Sequence, residues 1–166
     1  MNAWPRRWMG AGAAIAVMTV GVARTSAAAA QYVKPQPDGA GDGSSWNNAR
    51  GDIQAAINAA GDGDIIYLSA GTWSNAAALV VDGKQNITLS GGWAAESGGT
   101  PGAAGSSPTV ITRGADDNRL VTASGATVVW ERMTFAGGRI LNENPGRGGG
   151  FHLTGCNFTF RHCTLK

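Results

Sequence analysis

Apolar side chains recur at every second position on either side of a polar corner in Val128-Val129-Trp130-Glu131-Arg132-Met133-Thr134-Phe135, and the pattern returns thirty residues later in Phe158-Thr159-Phe160-Arg161-His162-Cys163-Thr164-Leu165. Each copy reads as two period-2 strands meeting at a polar two-residue corner, Glu131-Arg132 or Arg161-His162, with one face kept inward. A fixed period of this length predicts a solenoid, because a single unit cannot bury its apolar face and stacked units join those faces into one core. Residues thirty apart should then pair in parallel, about 4.8 Å apart. Val128, Trp130, Met133 and Phe135 face inward, as do Phe158, Phe160, Cys163 and Leu165, with Trp130 on Phe160, Val128 on Phe158 and Phe135 on Leu165, all buried. Glu131 against Arg161 and Thr134 against Thr164 fall on the outer face, and a slip by one residue would expose both aromatic rings.

Earlier segments obey the same grammar. Ile65 to Ser69, Leu79 to Val81, Asn86 to Ser90, Thr109 to Thr112 and Leu120 to Ala123 are short, aliphatic or β-branched, and bounded by Gly, Asp or Asn. Helical periodicity occurs once, over Asp52 to Ala60: Asp52 caps the amino end, Ile53, Ala56, Ile57 and Ala60 form the apolar stripe, and Gly61 is placed for a left-handed C-terminal cap. A short amphipathic helix ahead of the first strands is suited to covering the open end of the core. The segment 31–48 reads as an irregular lead-in anchored by Trp46, and Gly91 to Ser107 as a surface insertion with Trp93 near its root. Gly137-Gly138 and Gly148-Gly149-Gly150 mark corners.

The amino terminus changes the charge balance. Arg6 and Arg7, the apolar run Met9 to Ala23 and the A-x-A site Ala28-Ala29-Ala30 are the three parts of a secretory signal, which makes 1–30 a removed segment and the mature chain an exported one beginning at Gln31. The fifteen residues of the apolar run fall short of the roughly 20 that span a bilayer. Without Arg6, Arg7 and Arg24, the 13 basic residues become ten against eleven acidic, so the formal +2 becomes −1. No basic patch with interleaved aromatics remains, which argues against a nucleic-acid partner. Cys156 and Cys163 are separated by a strand, too far apart for a disulfide, and read as buried thiols.

Candidate chemistry is sparse. Asp38 and Asp42, in the run Asp38-Gly39-Ala40-Gly41-Asp42-Gly43, are the weak candidates for a calcium site, since carboxylates on a flexible backbone suit that cation, but the repeated calcium pattern is absent and a single Asp-Gly run is more often a turn. Asp116-Asp117 is the adjacent acidic pair, but neighbours in a strand point oppositely and the setting is a polar turn. Asp62 and Asp64 sit in a turn where local hydrogen bonds account for them. Arg132, Arg139 and Arg147 form a potential basic strip for an acidic polysaccharide, and neither His152 nor His162 has a serine or acid at a motif spacing. No catalytic constellation and no cofactor are read from these residues.

The order Asp42-Gly43-Ser44-Ser45-Trp46-Asn47-Asn48-Ala49, Ile53-Gln54-Ala55-Ala56-Ile57, Gly63-Asp64-Ile65-Ile66-Tyr67-Leu68 and Ala70-Gly71-Thr72-Trp73 resembles the amino-terminal part of secreted bacterial right-handed parallel β-helix proteins. Gly148-Gly149-Gly150-Phe151 followed by Cys163-Thr164-Leu165 is similar to their recurring coil and to the repeats of chlamydial polymorphic outer-membrane proteins. The resemblance implies an all-β, right-handed parallel β-helix over 49–166, with an N-terminal capping helix and an incomplete C-terminal end, so that further coils are expected beyond Lys166. His162 departs from the pattern, standing where such coils commonly carry the Asn of a side-chain ladder. Two functional classes follow from the resemblance. One is an exported protein of the bacterial cell surface, outer membrane or extracellular space with a structural or adhesive role and a carbohydrate or protein partner. The other is the N-terminal part of a pectin-lyase-like carbohydrate-active enzyme, because fold does not fix function.

Overall fold

The computed structural model describes residues 27–95, 107–113, 119–138 and 149–166. Its strands are β1 Ala30–Val33, β2 Ile65–Ser69, β3 Gly71–Asn75, β4 Leu79–Asp82, β5 Ile87–Trp93, β6 Thr109–Arg113, β7 Val121–Ser124, β8 Thr127–Glu131, β9 Met133–Ala136, β10 Phe151–Thr154, β11 Asn157–Arg161 and β12 Thr164–Leu165, and its helix is α1 Ile53–Ala59. Among the described residues the fold is therefore all-β with one short helix. The strands make three sheets, ordered β1-β2-β5-β8-β11, β3-β6-β9-β12 and β4-β7-β10, and every pairing within them is parallel. From β2 onward the chain visits the three sheets in rotation. Each strand hydrogen-bonds to strands one repeat away, so successive apolar faces are brought into line.

One core collects those faces. Ile66, Leu89 and Trp130 follow one another across the first sheet, Trp73, Ile111 and Phe135 across the second, and Leu79 and Val121 across the third, all buried. Each large side chain taken from water in this way contributes about 1.5–3 kcal/mol. The alternation that marks the strands in sequence is thus the source of their burial.

At the end of the stack the register is Val128 with Phe158, Trp130 with Phe160, Glu131 with Arg161, Thr134 with Thr164 and Phe135 with Leu165. Burial there departs from expectation. Val128, Trp130, Met133 and Phe135 are buried, whereas Phe160 is 38% exposed, Leu165 is 56% exposed, and Phe158 and Cys163 are only half-buried. The cause is position: β11 and β12 are edge strands, so their inward side chains have a neighbouring row on one side only among the described residues. Phe160 keeps ring contacts with Phe135, Phe151 and Phe158 at centroid distances of 6.2, 5.4 and 6.3 Å. Both thiols, read from the sequence as buried, are likewise half-buried and free. The Cys163 Sγ–H donates to the Trp130 and Arg161 carbonyls, and the partial desolvation pushes its pKa above the ordinary thiol value.

The corner between β8 and β9 turns on a single left-handed residue, Arg132 at φ 53°, and His162 repeats it at φ 53° between β11 and β12. A non-glycine residue in this region costs about 1–2 kcal/mol. The Arg132 N–H donates to the Arg161 carbonyl at 2.9 Å, so stacking of one corner on the next supports the conformation. Gly138 shows a different constraint, since a Cβ there would lie 2.6 Å from the Gly150 Cα.

The helix forms as its sequence predicts at one end and differently at the other. The Asp52 carboxylate accepts from the Gln54 and Ala55 N–H groups, and Ile53, Ala56, Ile57 and Ala60 are buried. The carboxyl end has an extended Ala60 in place of the expected left-handed Gly61, and the left-handed glycine of the following turn is Gly63 at φ 84°. Lys84 supplies the closure instead: its ammonium donates to the Asn58 and Ala60 carbonyls, placing a cation where the helix dipole favours one. Gln54 joins the helix to the sheet, its amide donating to the Val80 carbonyl at 3.0 Å and accepting from the Val80 N–H at 2.8 Å. A side-chain amide thereby pairs with edge strand β4 as another strand would, which covers an otherwise open edge.

The segment 31–48 is less irregular than its composition suggests. β1 pairs with β2 along its length, Val33 bridges to Arg50, and Trp46 is buried against Tyr32 at a ring distance of 5.1 Å. Gly and Pro density hid the strand, whose four residues contain two alternating buried positions, Gln31 and Val33. β5 likewise continues through Gly91 and Gly92 to Trp93, so the Gly-rich segment starts later than its sequence implies.

Candidate functional site: an outer aromatic and cationic ladder

The outer face of the first sheet carries one continuous row, Tyr32-Tyr67-Ser90-Glu131-Arg161, contributed by β1, β2, β5, β8 and β11. Alternation explains it, because residues beside inward-facing ones in a strand point to the opposite face. Tyr32 and Tyr67 rings lie 5.4 Å apart. The pairing of β2 with β5 shifts between Tyr67 and Ser69, which brings Trp93 opposite Ser69 and sets its ring edge-on to Tyr67 at 5.2 Å. Trp93 and Arg132 also share Ser90: the indole N–H donates to its hydroxyl oxygen at 3.1 Å and the Arg132 guanidinium at 2.7 Å.

The guanidinium carbon of Arg132 sits 4.8 Å from the centre of the Trp93 ring, a cation–π geometry, and its Nε donates to the Gly91 carbonyl. Glu131 stands between two arginines, 3.1 Å from Arg161 and 3.9 Å from Arg132. Such pairs, partly in solvent, contribute little to stability but hold the side chains in place. Tyr32, Tyr67, Trp93, Glu131 and Arg132 are all half-exposed, while Ser90, covered by Trp93 and Arg132, is buried in the middle of the row. Arg132 and His162 then line a shallow groove with Pro108, Met133, Thr134 and Thr164.

Among the described residues the strip brings together aromatic faces, a guanidinium and a carboxylate. Aromatic faces take the apolar faces of sugar rings, and guanidinium, imidazole and hydroxyl groups meet hydroxyl or carboxylate substituents. The remaining candidates are dispersed. Asp38 pairs with Lys34, and Asp42 accepts from the Ser44 N–H at 2.9 Å; hydrogen bonds from Ser44 hold the Asp42 carboxyl below its ordinary pKa. Among the described residues no three His, Cys, Asp or Glu side chains come together as a metal site. Asp62 accepts from the Gln85 N–H, and buried Asp64 accepts from the Ala29 and Gly61 N–H groups. His152 lies on β10 beside Thr122, away from the ladder.

Asp116, Asp117, Arg139 and Arg147 lie outside the described residues, as does 1–26 of the signal segment. Only Arg132 of the basic strip is therefore placed. Sequence reading missed Tyr32, Tyr67 and Trp93; the available signal was the position of Tyr67 between buried Ile66 and Leu68, whereas Trp93 reaches the row only through the register shift. No helix among the described residues is long and apolar enough to cross a membrane. No protein-family model, no curated protein and no solved structure matches this chain.

Proposed function

We propose that the three sheets are the walls of a right-handed parallel β-helix, and that the chain is an exported segment of the bacterial cell surface with a structural and adhesive role, using its outer ladder to hold a polysaccharide. Rotation of successive strands through the three parallel sheets supports the β-helix. The observation that carries the function is the ladder, a row of half-exposed aromatic rings ending on an arginine held over Trp93. Repeating rungs along a stiff axis suit a repeating ligand, because many weak ring contacts add along the chain. The reading makes the protein a binder without turnover.

Affinity electrophoresis of exported protein through gels containing polygalacturonate or a neutral glucan tests this. Migration should be retarded in at least one gel, with no new reducing ends or unsaturated products formed. Trp93→Ala should abolish most of the retardation, since it removes the ring linking Tyr67 to Arg132. Turnover, or retardation unchanged by Trp93→Ala, would overturn the adhesive reading.

A further inference from the structure

Resting on the export reading above, we infer that the signal segment is removed between Ala28 and Ala29, and that the new amino terminus of Ala29 forms an ion pair with Asp64. The small-residue run Ser26-Ala27-Ala28-Ala29-Ala30 permits cleavage after Ala28, Ala29 or Ala30, because each register has small residues at both required positions. Sequence alone does not choose among them. The fold distinguishes the three outcomes by which bonds of Ala29 and Ala30 each cut would leave.

Ala30 belongs to β1 and pairs with Ile65. Ala29 makes two bonds of its own: its N–H donates to Asp64 Oδ1 at 2.8 Å, and its carbonyl accepts from the Ile65 N–H at 2.9 Å. Cleavage after Ala30 removes both bonds and the first pair of the β1–β2 ladder. Cleavage after Ala29 also removes both bonds. Only cleavage after Ala28, of the three registers, preserves them.

Asp64 gives the second, independent reason. It is 8% exposed, and its other oxygen accepts from the Gly61 N–H at 2.8 Å. A carboxylate so enclosed is best served by a cation, since burying a charge is costly unless it is paired. Hydrolysis at this bond supplies one. Water adds across the Ala28–Ala29 peptide, its oxygen going to the Ala28 carbonyl carbon to give a carboxylate. The Ala29 nitrogen leaves as an amine that takes up a proton, with no change of oxidation state and the host's signal peptidase as catalyst. The donor already 2.8 Å from Asp64 thereby becomes an ammonium, and a neutral hydrogen bond becomes a charge-assisted one.

The full chain should be expressed in a secreting bacterial host and the exported protein characterised by intact mass and amino-terminal sequencing. The expected terminus is Ala29. Ala28, Ala30 or Gln31 at the terminus would overturn the assignment while leaving export intact, whereas protein retained inside the cell with Met1 at its terminus would overturn the export reading and the assignment with it. Titration of the α-amine by NMR after selective isotopic methylation tests the ion pair. It should titrate above the ordinary α-amino range of about 7.7–8.0 and return to that range in Asp64→Asn, which keeps the shape and removes the charge. Equal titration in the two proteins would refute the pairing.

Discussion

Trp130→Ala should cost about 3–5 kcal/mol, the largest loss expected from any single substitution here, and on a fold of ordinary marginal stability it should leave little folded protein at 37 °C. Trp130 is fully buried, with its ring 5.3 Å from Phe135 and 5.8 Å from Phe158, so truncation opens a cavity where two sheets meet. Its register partner Phe160, 38% exposed, retains part of its solvation in the native state, and Phe160→Ala should cost about 1–2 kcal/mol. Trp130→Phe provides a control. The indole Nε1 is buried without a hydrogen-bond partner, so removing it relieves a penalty of about 1–3 kcal/mol that offsets the lost ring volume. Urea unfolding followed by circular dichroism checks the order, with Ala at 130 much worse than Phe at 130. Equal losses would mean that burial at this position is not what holds the repeats together.

Thr109→Val should cost about 1–3 kcal/mol although it changes neither size nor shape. The Thr109 hydroxyl is fully buried at the corner leading out of β5, where it accepts from the Gly92 N–H at 2.8 Å and donates to the Ser69 carbonyl at 2.8 Å. Valine fills the same space and leaves the Gly92 N–H without a partner. Close packing leaves little room to adjust: a Cβ on Gly91 would lie 2.8 Å from both the Arg132 carbonyl oxygen and the Thr109 side chain. Thr109→Ser keeps the hydroxyl and loses only the methyl, so its cost should be the smaller of the two. Thermal melts that ranked serine below valine would show that packing, rather than the hydrogen bonds, sets stability at this corner.

What the sequence revealed depended on whether a signal was local and periodic. Alternation in 128–135 and 158–165 carries the register, because a one-residue slip would turn Trp130 to solvent. It does not carry the exposure of Phe160 and Leu165, which depends on how many neighbours flank a row. Asp52 revealed the amino end of α1, while its carboxyl end depends on Lys84, distant in sequence and invisible to local rules. β1 was obscured by the Pro- and Gly-rich segment that follows it. The ladder was hidden for a related reason: Tyr32, Tyr67 and Trp93 come from strands far apart in sequence, and Trp93 joins them only through the shifted pairing of β5. Long-range hydrogen bonds, such as that from Ala29 to Asp64, have no periodic signature at all.

Disulfide mapping of register tests most directly the central claim that residues thirty apart stack in parallel. With Cys156 and Cys163 replaced by serine, cysteine pairs are introduced at the outward register partners Val129 and Thr159, and separately at Thr127 and Asn157. In-register parallel strands place each pair's Cα atoms about 4.8 Å apart, inside the roughly 4.4–6.8 Å window for bridging. Thr127 and Arg161, four residues out of register, serve as the third pair. Oxidation of native protein should close the first two pairs and leave the third as free thiols; closure of Thr127→Cys with Arg161→Cys, alongside Val129→Cys with Thr159→Cys, would mean antiparallel strands and contradict the fold described here.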